Sequence, residues 1–128
     1  MIEVEIDNRS GENVEEEAVA ALARSLLGSE GVAAGELGLS FVGREEIRAL
    51  KREHLSVDEE TDVLSFPIDG LGELPEGLPR QLGDVFLCPQ VVGSEWRRPL
   101  VHGLLHLLGY EHGSEMEERE RRYVNERT

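Results

Sequence analysis

The sequence of 128 residues has a single cysteine, Cys88, so it can form neither an internal disulfide nor a C-x-x-C metal or redox site. Basic residues are also scarce, since 13 Lys and Arg stand against 27 Asp and Glu and give a net charge of -14. This balance disfavours a protein that grips bare nucleic acid through a large basic surface. No run approaches the ~18 apolar residues of a membrane span, and residues 1–10 lack the basic and apolar regions of a signal peptide. We therefore expect a cytoplasmic protein that does not bind membranes.

The length and the hydrophobic content of 39% predict a single domain over residues 1–128, with one modest core. In the first half, apolar residues alternate between the period of two of a strand and the spacing of a helix. This pattern predicts strands over 2–6 and 37–41 and helices over 13–28 and 44–55. Asn13 and Glu16 resemble a capping box that would begin the first helix, and Gly28 would end it.

In the second half, the pattern predicts strands over 63–68 and 84–88. The connection between them is rich in Gly and Pro and leaves no room for a crossover helix, so an antiparallel pair is expected. A short irregular piece over 91–98, a helix opened by Pro99 and a last helix after Ser114 complete the chain. The expected fold is α/β (α+β), with a single small mixed sheet of about four strands and helices packed around it.

Three of the four histidines lie within eleven residues, at His102, His106 and His112. On a helix, His102 and His106 stand one turn apart on one face. The opposite face carries an apolar stripe at positions 101, 104, 105 and 108, so the histidine face is not simply the solvent face of a surface helix. Gly109 can end the helix in a left-handed conformation and allow His112 to return towards the same point.

This spacing favours a metal site, on the C-terminal helix and the turn after it. Imidazole is a common zinc ligand, and three protein ligands leave a fourth position for a water whose pKa a catalytic zinc lowers to about 7. We expect one zinc per chain and zinc-bound water as the catalytic group. The alternative is that one histidine packs in the core, one caps the helix and one is on the surface. His54 has no such neighbours and is expected on the surface near the end of the second helix.

The segment differs from the H-E-x-x-H motif of zinc peptidases, because Gly103 occupies the position of the glutamate base. Another group would then have to transfer the proton. Glu111, Asp62 and Asp84 are the candidates. For Asp62 and Asp84 the alternative role is to bond local backbone or to orient a histidine ligand.

Three ordered segments of the chain resemble the bacterial YbeY family. Residues 102–112, HGLLHLLGYEH, resemble the family signature H-G-x-L-H-L-x-G-Y-D-H. Residues 61–67, TDVLSFP, and 82–85, LGDV, look like its two other characteristic segments, and they stand in the family's order. The βαβα start of the chain also agrees, so the resemblance spans nearly the whole sequence.

The resemblance implies a small α/β sheet with zinc on His102, His106 and His112. It further implies a metal-dependent, single-strand-specific endoribonuclease that acts in ribosomal RNA processing at the 3′ end of 16S rRNA and in ribosome quality control. The implied partners are ribosomal RNA and a ribosomal particle or ribosome-associated protein. Whether the 2′-hydroxyl of the RNA or a water molecule attacks the phosphodiester stays open.

The chain departs from the family at three places. Leu55 stands where many members have arginine, and Glu111 replaces the aspartate of the signature. The segment over 89–99 is shorter than the usual helix before the histidine helix, so one wall of the cleft would be reduced or replaced. The first candidates for phosphate contacts are Arg97 and Arg98, and further cations stand at Arg48, Lys51 and Arg52.

Two other functions compete with the nuclease. The acidic balance and Leu55 favour a non-catalytic ribosome-assembly factor with a structural metal, because tight RNA binding needs many phosphate contacts. A small metallopeptidase is the second alternative, and Gly103 weighs against it.

Overall fold

The computed structural model describes residues 1–59 and 61–125. Its elements, in chain order, are β1 (Ile2–Asn8), α1 (Glu16–Ser29), β2 (Gly35–Phe41), α2 (Arg44–Leu55), β3 (Val63–Pro67), β4 (Gln81–Leu87), α3 (Pro89–Val92), α4 (Arg97–Leu107) and α5 (Ser114–Asn125). The strands form a sheet in the order β1-β2-β4-β3. β1 and β2 pair in parallel, as do β2 and β4, whereas β3 and β4 are antiparallel. The small mixed sheet expected from the sequence is therefore confirmed.

One face of the sheet carries the larger part of the core. Because side chains alternate along a strand, Leu37 and Leu39 of β2 and Val85 and Leu87 of β4 point to the same side, and all four are buried. α1 and α4 pack with these residues, and α5 packs against α4. Leu105 of α4 is fully buried, as its place in the apolar stripe predicts.

The opposite face is covered only in part. α2 packs over β3 and the end of β4, where Ile47 joins Leu64 and Cys88 in a second cluster. The β1 side of this face carries exposed carboxylates, among them Glu3 and Glu5. Within the described residues, no helix combines the length and the apolar composition needed to cross a bilayer.

Both boundaries of α1 differ from those expected. α1 begins at Glu16 without a side-chain cap, so the Asn13 capping box does not form. The helix continues through Gly28 to Ser29, and it is Gly31, with a φ of 87°, that ends it. There the amide of Val32 donates to the carbonyl of Leu27, as in other helix ends closed by a left-handed glycine.

α4 begins at Arg97, two residues before Pro99. Proline is tolerated there because the amides of the first helical turn have no acceptor within the helix. The amide of Leu100, the residue after Pro99, donates a hydrogen bond to the carbonyl of Trp96.

Candidate metal centre

α4 presents two histidines to one side. His102 and His106 are one turn apart, and their Nε2 atoms lie 3.0 Å from each other. Both side chains are partly buried. Two nitrogens bound to one tetrahedral zinc stand about 3.3 Å apart, given zinc-nitrogen distances of about 2.0–2.1 Å. The spacing of this pair therefore suits a shared metal ion.

The turn after α4 brings the third histidine to the pair. Gly109 has a φ of 99°, and the amides of Gly109 and Tyr110 donate to the carbonyls of His106 and Leu105. These hydrogen bonds form a C-terminal helix cap. Glycine is favoured in such a cap because residues with a side chain disfavour the left-handed backbone conformation. The ring of His112 then lies 5.1 Å from that of His102 and 4.9 Å from that of His106, measured between centroids.

The three residues His102, His106 and His112 could hold a metal ion, since one ring nitrogen from each lies within 4.8 Å of the other two. The second nitrogens of two of the rings have partners outside the cluster. Nδ1 of His106 lies 3.0 Å from the carbonyl oxygen of Tyr110, and Nδ1 of His102 lies 3.4 Å from Oε2 of Glu120. An Nδ1-H that donates to an oxygen leaves the lone pair on Nε2, which is the state that a metal requires. The donor set thus fits a metal such as zinc.

The surroundings of His106 favour the neutral imidazole. Burial lowers the pKa of its side chain below the ordinary 6.5, and the positive charges that His102 and His112 would carry act in the same direction. The hydrogen bond to the carbonyl of Tyr110 and the charge of Glu120 oppose the change without reversing it. A neutral ring is the form that binds metal, so this environment helps metal binding near neutral pH.

The pair on α4 opens onto a cleft of about 950 Å³ between α4, β3 and the segment around α3. One part of its wall is apolar and includes Leu55, Phe66, Val91 and Val92. The charged residues among the described lining are Asp62, Glu95, Glu111 and Glu120, with Arg98 as the only Lys or Arg. The cleft is thus acidic, and a bound metal ion would be its main positive charge.

The structure brings some of the expected site residues together and separates others. Asp62 and Glu111 line the same cleft as His102 and His106. Asp84 does not, because its neighbour Val85 faces α4 at Gly103 and Asp84 therefore points to the other side of the sheet, against Gly38. The sheet lies between Asp84 and the cluster, so proton transfer by this residue at the metal centre is ruled out by position.

The expected cations are similarly divided. Arg98 lines the cleft, whereas the guanidinium of Arg97 lies outside the lining, 4.4 Å above the ring of Trp96. The three cations expected from α2 form ion pairs with Asp58 or Glu59, namely Arg48, Lys51 and Arg52. His54 is exposed in the last turn of α2, as expected, with its ring 5.0 Å from that of Phe66.

Gly103 allows α4 to lie close against the sheet. A Cβ atom at this position would stand 2.9 Å from Val85 and 3.0 Å from both Ser65 and Val63. The hydroxyl of Ser65 also donates a 3.0 Å hydrogen bond to the carbonyl of Gly103. The glycine that replaces the peptidase base is therefore a requirement of packing.

Two carboxylates support the site and were not anticipated. Glu120 of α5 contacts His102, and it had a signal in the sequence, because it shares a helix face with buried Met116 and Tyr123. Glu30 follows α1, and its side chain is only 3% exposed. It accepts hydrogen bonds from Tyr110, Arg119 and Tyr123, and no spacing in the sequence indicated these contacts.

These geometric features agree with comparisons to known proteins. Residues 3–127 match the family model described as Endoribonuclease YbeY. A protein of that name from Mycolicibacterium vanbaalenii is 35% identical, over 91% of this chain and 73% of its own length. Another from Halorhodospira halophila is 42% identical, over 70% of this chain and 69% of its own.

A solved structure gives the same result at the level of the fold. The solution structure of a protein from Thermotoga maritima superposes with a TM-score of 0.58 and 25% sequence identity, over 97% of this chain and 87% of that one. The family match covers all three histidines and the segments 61–67 and 82–85. This chain therefore belongs to the Endoribonuclease YbeY family.

Proposed function

We propose that this protein is a zinc-dependent endoribonuclease that cleaves single-stranded RNA, with His102, His106 and His112 as the metal ligands. The observation that carries the proposal is the convergence of three imidazoles, two of which, His102 and His106, line an open cleft. The relatives named Endoribonuclease YbeY support the reaction class. We further propose that residues 1–128 act as one hydrolase domain.

The shape of the cleft supports a single-stranded substrate. Its apolar wall offers surfaces, including the ring of Phe66, against which unpaired bases can stack. A rigid duplex has its bases already stacked and cannot use such a wall. Arg98, at the same cleft, can contact a phosphate beside the metal centre.

The chain's own residues have three tasks in this reaction. The histidines hold the metal ion, which would supply Lewis acidity at the scissile phosphate. Of the three carboxylates expected to transfer a proton, Asp62 and Glu111 line the cleft and are the candidates for this role, whereas Asp84 is on the far side of the sheet. Gly103 cannot contribute a base at all.

We propose ribosomal RNA as the substrate, at the 3′ end of 16S rRNA, with a further role in ribosome quality control. The net charge of -14 supports a need for a ribosomal particle or ribosome-associated protein to present the RNA, because long-range attraction to free RNA is absent. A substrate of this kind supports the cytoplasmic location that we also propose.

One observation favours the competing assembly factor with a structural metal. The described cleft lining contains four carboxylates and a single arginine, which is unfavourable for holding an RNA backbone. The peptidase alternative loses its base at Gly103. Cleavage assays therefore have to include both RNA and peptide substrates.

The deciding experiment compares purified wild type with His106→Ala and His54→Ala. Metal content is measured after purification without added metal, and cleavage of single-stranded RNA, duplex RNA and a peptide is measured with and without a chelator. We expect one zinc per chain in wild type and His54→Ala, loss of zinc in His106→Ala, and cleavage of single-stranded RNA that the chelator stops and zinc restores. Metal-bound wild type that cleaves none of the three substrates would support the assembly factor, and RNA cleavage by metal-free protein would contradict the proposal.

A further inference from the structure

The two histidines of α4 are oriented by different kinds of acceptor. Nδ1 of His106 faces a backbone carbonyl, that of Tyr110, at 3.0 Å. Nδ1 of His102 faces a side chain, since Oε2 of Glu120 lies 3.4 Å away. The first acceptor is part of the helix-ending turn, whereas the second depends on one residue of another helix.

Glu120 is held in place from several sides. Its other oxygen, Oε1, accepts a 3.1 Å hydrogen bond from Arg98, which stands one turn before His102 on α4. Met116 and Tyr123 anchor the same face of α5 in the core, with 2% and 1% of their surfaces exposed. The Glu120 side chain is itself only 13% exposed, so the carboxylate has little freedom to leave His102.

We propose that Glu120 is a positioning residue of the metal centre, which fixes the ring of His102 with Nε2 towards the metal. The proposal rests on the metal site proposed above. A carboxylate that accepts from the distal nitrogen of a histidine ligand fixes the ring orientation and increases the basicity of the ligand nitrogen. Without this acceptor, rotation of the His102 ring would turn Nε2 away from the other two ligands.

The test measures zinc affinity by competition with a chromophoric chelator. Removal of such a partner weakens metal binding by about 10- to 100-fold, and we expect this loss for Glu120→Ala. Glu120→Gln should lose less zinc affinity, because the amide oxygen can still accept a hydrogen bond from Nδ1-H of His102. Glu118→Gln is the matched control, since Glu118 is an exposed acid of the same helix, and it should bind zinc as wild type does.

A second measurement follows the geometry of the centre directly. The visible absorption of bound Co²⁺ should be altered in Glu120→Ala and unchanged in Glu118→Gln. Zinc affinity of Glu120→Ala within twofold of wild type would overturn the inference. If Glu120→Ala fails to fold, Glu120→Met decides, because it keeps most of the side-chain volume but offers His102 no oxygen acceptor. Wild-type zinc affinity together with a wild-type Co²⁺ spectrum in that variant would overturn the inference. A wild-type protein that binds no metal would instead contradict the metal centre itself.

Discussion

The phenolic hydroxyl of Tyr110 donates a 2.6 Å hydrogen bond to the carboxylate of Glu30, which precedes it by 80 residues. The carbonyl of the same tyrosine is the acceptor that faces His106. Arg119 and Tyr123 of α5 also donate to Glu30. One buried carboxylate therefore joins the end of α1, the turn that leads to His112, and α5.

Replacing this carboxylate should destabilise the protein. Burial alone would raise the pKa of Glu30, but the hydrogen bonds from Tyr110 and Tyr123 and the charge of Arg119 outweigh it and lower the pKa below 4.5. Burial, together with the hydrogen bond to Glu30 and its negative charge, raises the pKa of Tyr110 to about 12. We expect Glu30→Gln to lower the free energy of unfolding by about 1.5 to 3 kcal/mol at pH 7, the range for a hydrogen bond to a charged group.

Urea denaturation across pH checks both the size and the origin of this effect. Because the pKa of Glu30 is lower in the folded state, its contribution is complete above about pH 4.5 and is lost as pH falls through the folded-state pKa. The difference in the free energy of unfolding between wild type and Glu30→Gln should therefore become smaller as pH falls. Glu53→Gln, at an exposed acid of α2, should change the free energy of unfolding little at any pH. A Glu30→Gln effect that is independent of pH would argue against the charged network.

The metal-free protein should become less stable as pH falls below about 6.5, in part through His106. Its pKa is lowered in the folded state, so between that value and the ordinary 6.5 the unfolded chain binds a proton that the native protein does not. His106→Asn should make the free energy of unfolding less dependent on pH in this range. NMR titration of the His106 ring in metal-free protein provides the direct measurement, and a midpoint above 6.5 would show the sign to be wrong.

Metal affinity should also fall with pH. Protons compete with metal for the same ring nitrogens, so zinc binding weakens as the histidines become charged. Chelator competition at pH 8, 7 and 6 measures this decline, and a constant affinity over that range would argue against an all-histidine site.

Gly103→Ala should be destabilising, although alanine is the better helix former by about 1 kcal/mol. The added methyl group meets Val85, Ser65 and Val63 at 3.0 Å or less, and overpacking costs about 1 to 3 kcal/mol. Gly28→Ala in α1 is the matched control, because a Cβ there has no neighbour within 4 Å among the described residues. Thermal unfolding should show that Gly103→Ala is less stable than wild type and that Gly28→Ala is more stable. Equal gains at the two positions would mean that α4 does not lie as close to the sheet as described.

Binding of naked single-stranded RNA should be weak and only mildly dependent on salt. Arg98 is the one Lys or Arg of the described cleft lining, and each contacted phosphate adds about 0.7 to the slope of log K against log salt for a single strand. Leu55→Arg tests this view, because Leu55 is 53% exposed and lines the same cleft. The variant should bind RNA more tightly and with a slope larger by about 0.7. A wild-type slope of about six or more would reveal a basic surface elsewhere.

Local patterns were enough to predict much of the fold and the histidine cluster. The period of two placed the strands, and the four-residue spacing of His102 and His106 placed two rings on one helix face. Gly109 indicated the turn that returns His112. These features depend on residues close in sequence, which is why periodicity and turn chemistry are sufficient for them.

Features that depend on distant residues escaped prediction. Asp84 stands in a recognisable segment, but only the register of β4 against β2 shows that it faces Gly38 and not the cleft. Glu30 looks like a surface residue after a helix until Tyr110 and Tyr123 are placed beside it. Arg97 and Arg98 are neighbours in sequence, yet only Arg98 lines the cleft, because consecutive helical residues point in different directions.

The tight contact at Gly103 also limits how this scaffold could change its chemistry. A zinc peptidase of the H-E-x-x-H type needs a glutamate at that position. Here even a methyl group meets three side chains of the sheet, so a glutamate would fit only if α4 moved outward, and that movement would carry His102 and His106 with it. No single substitution can therefore turn this centre into one of that type, and a redesign would have to bring the base from another element, such as the positions of Asp62 or Glu111.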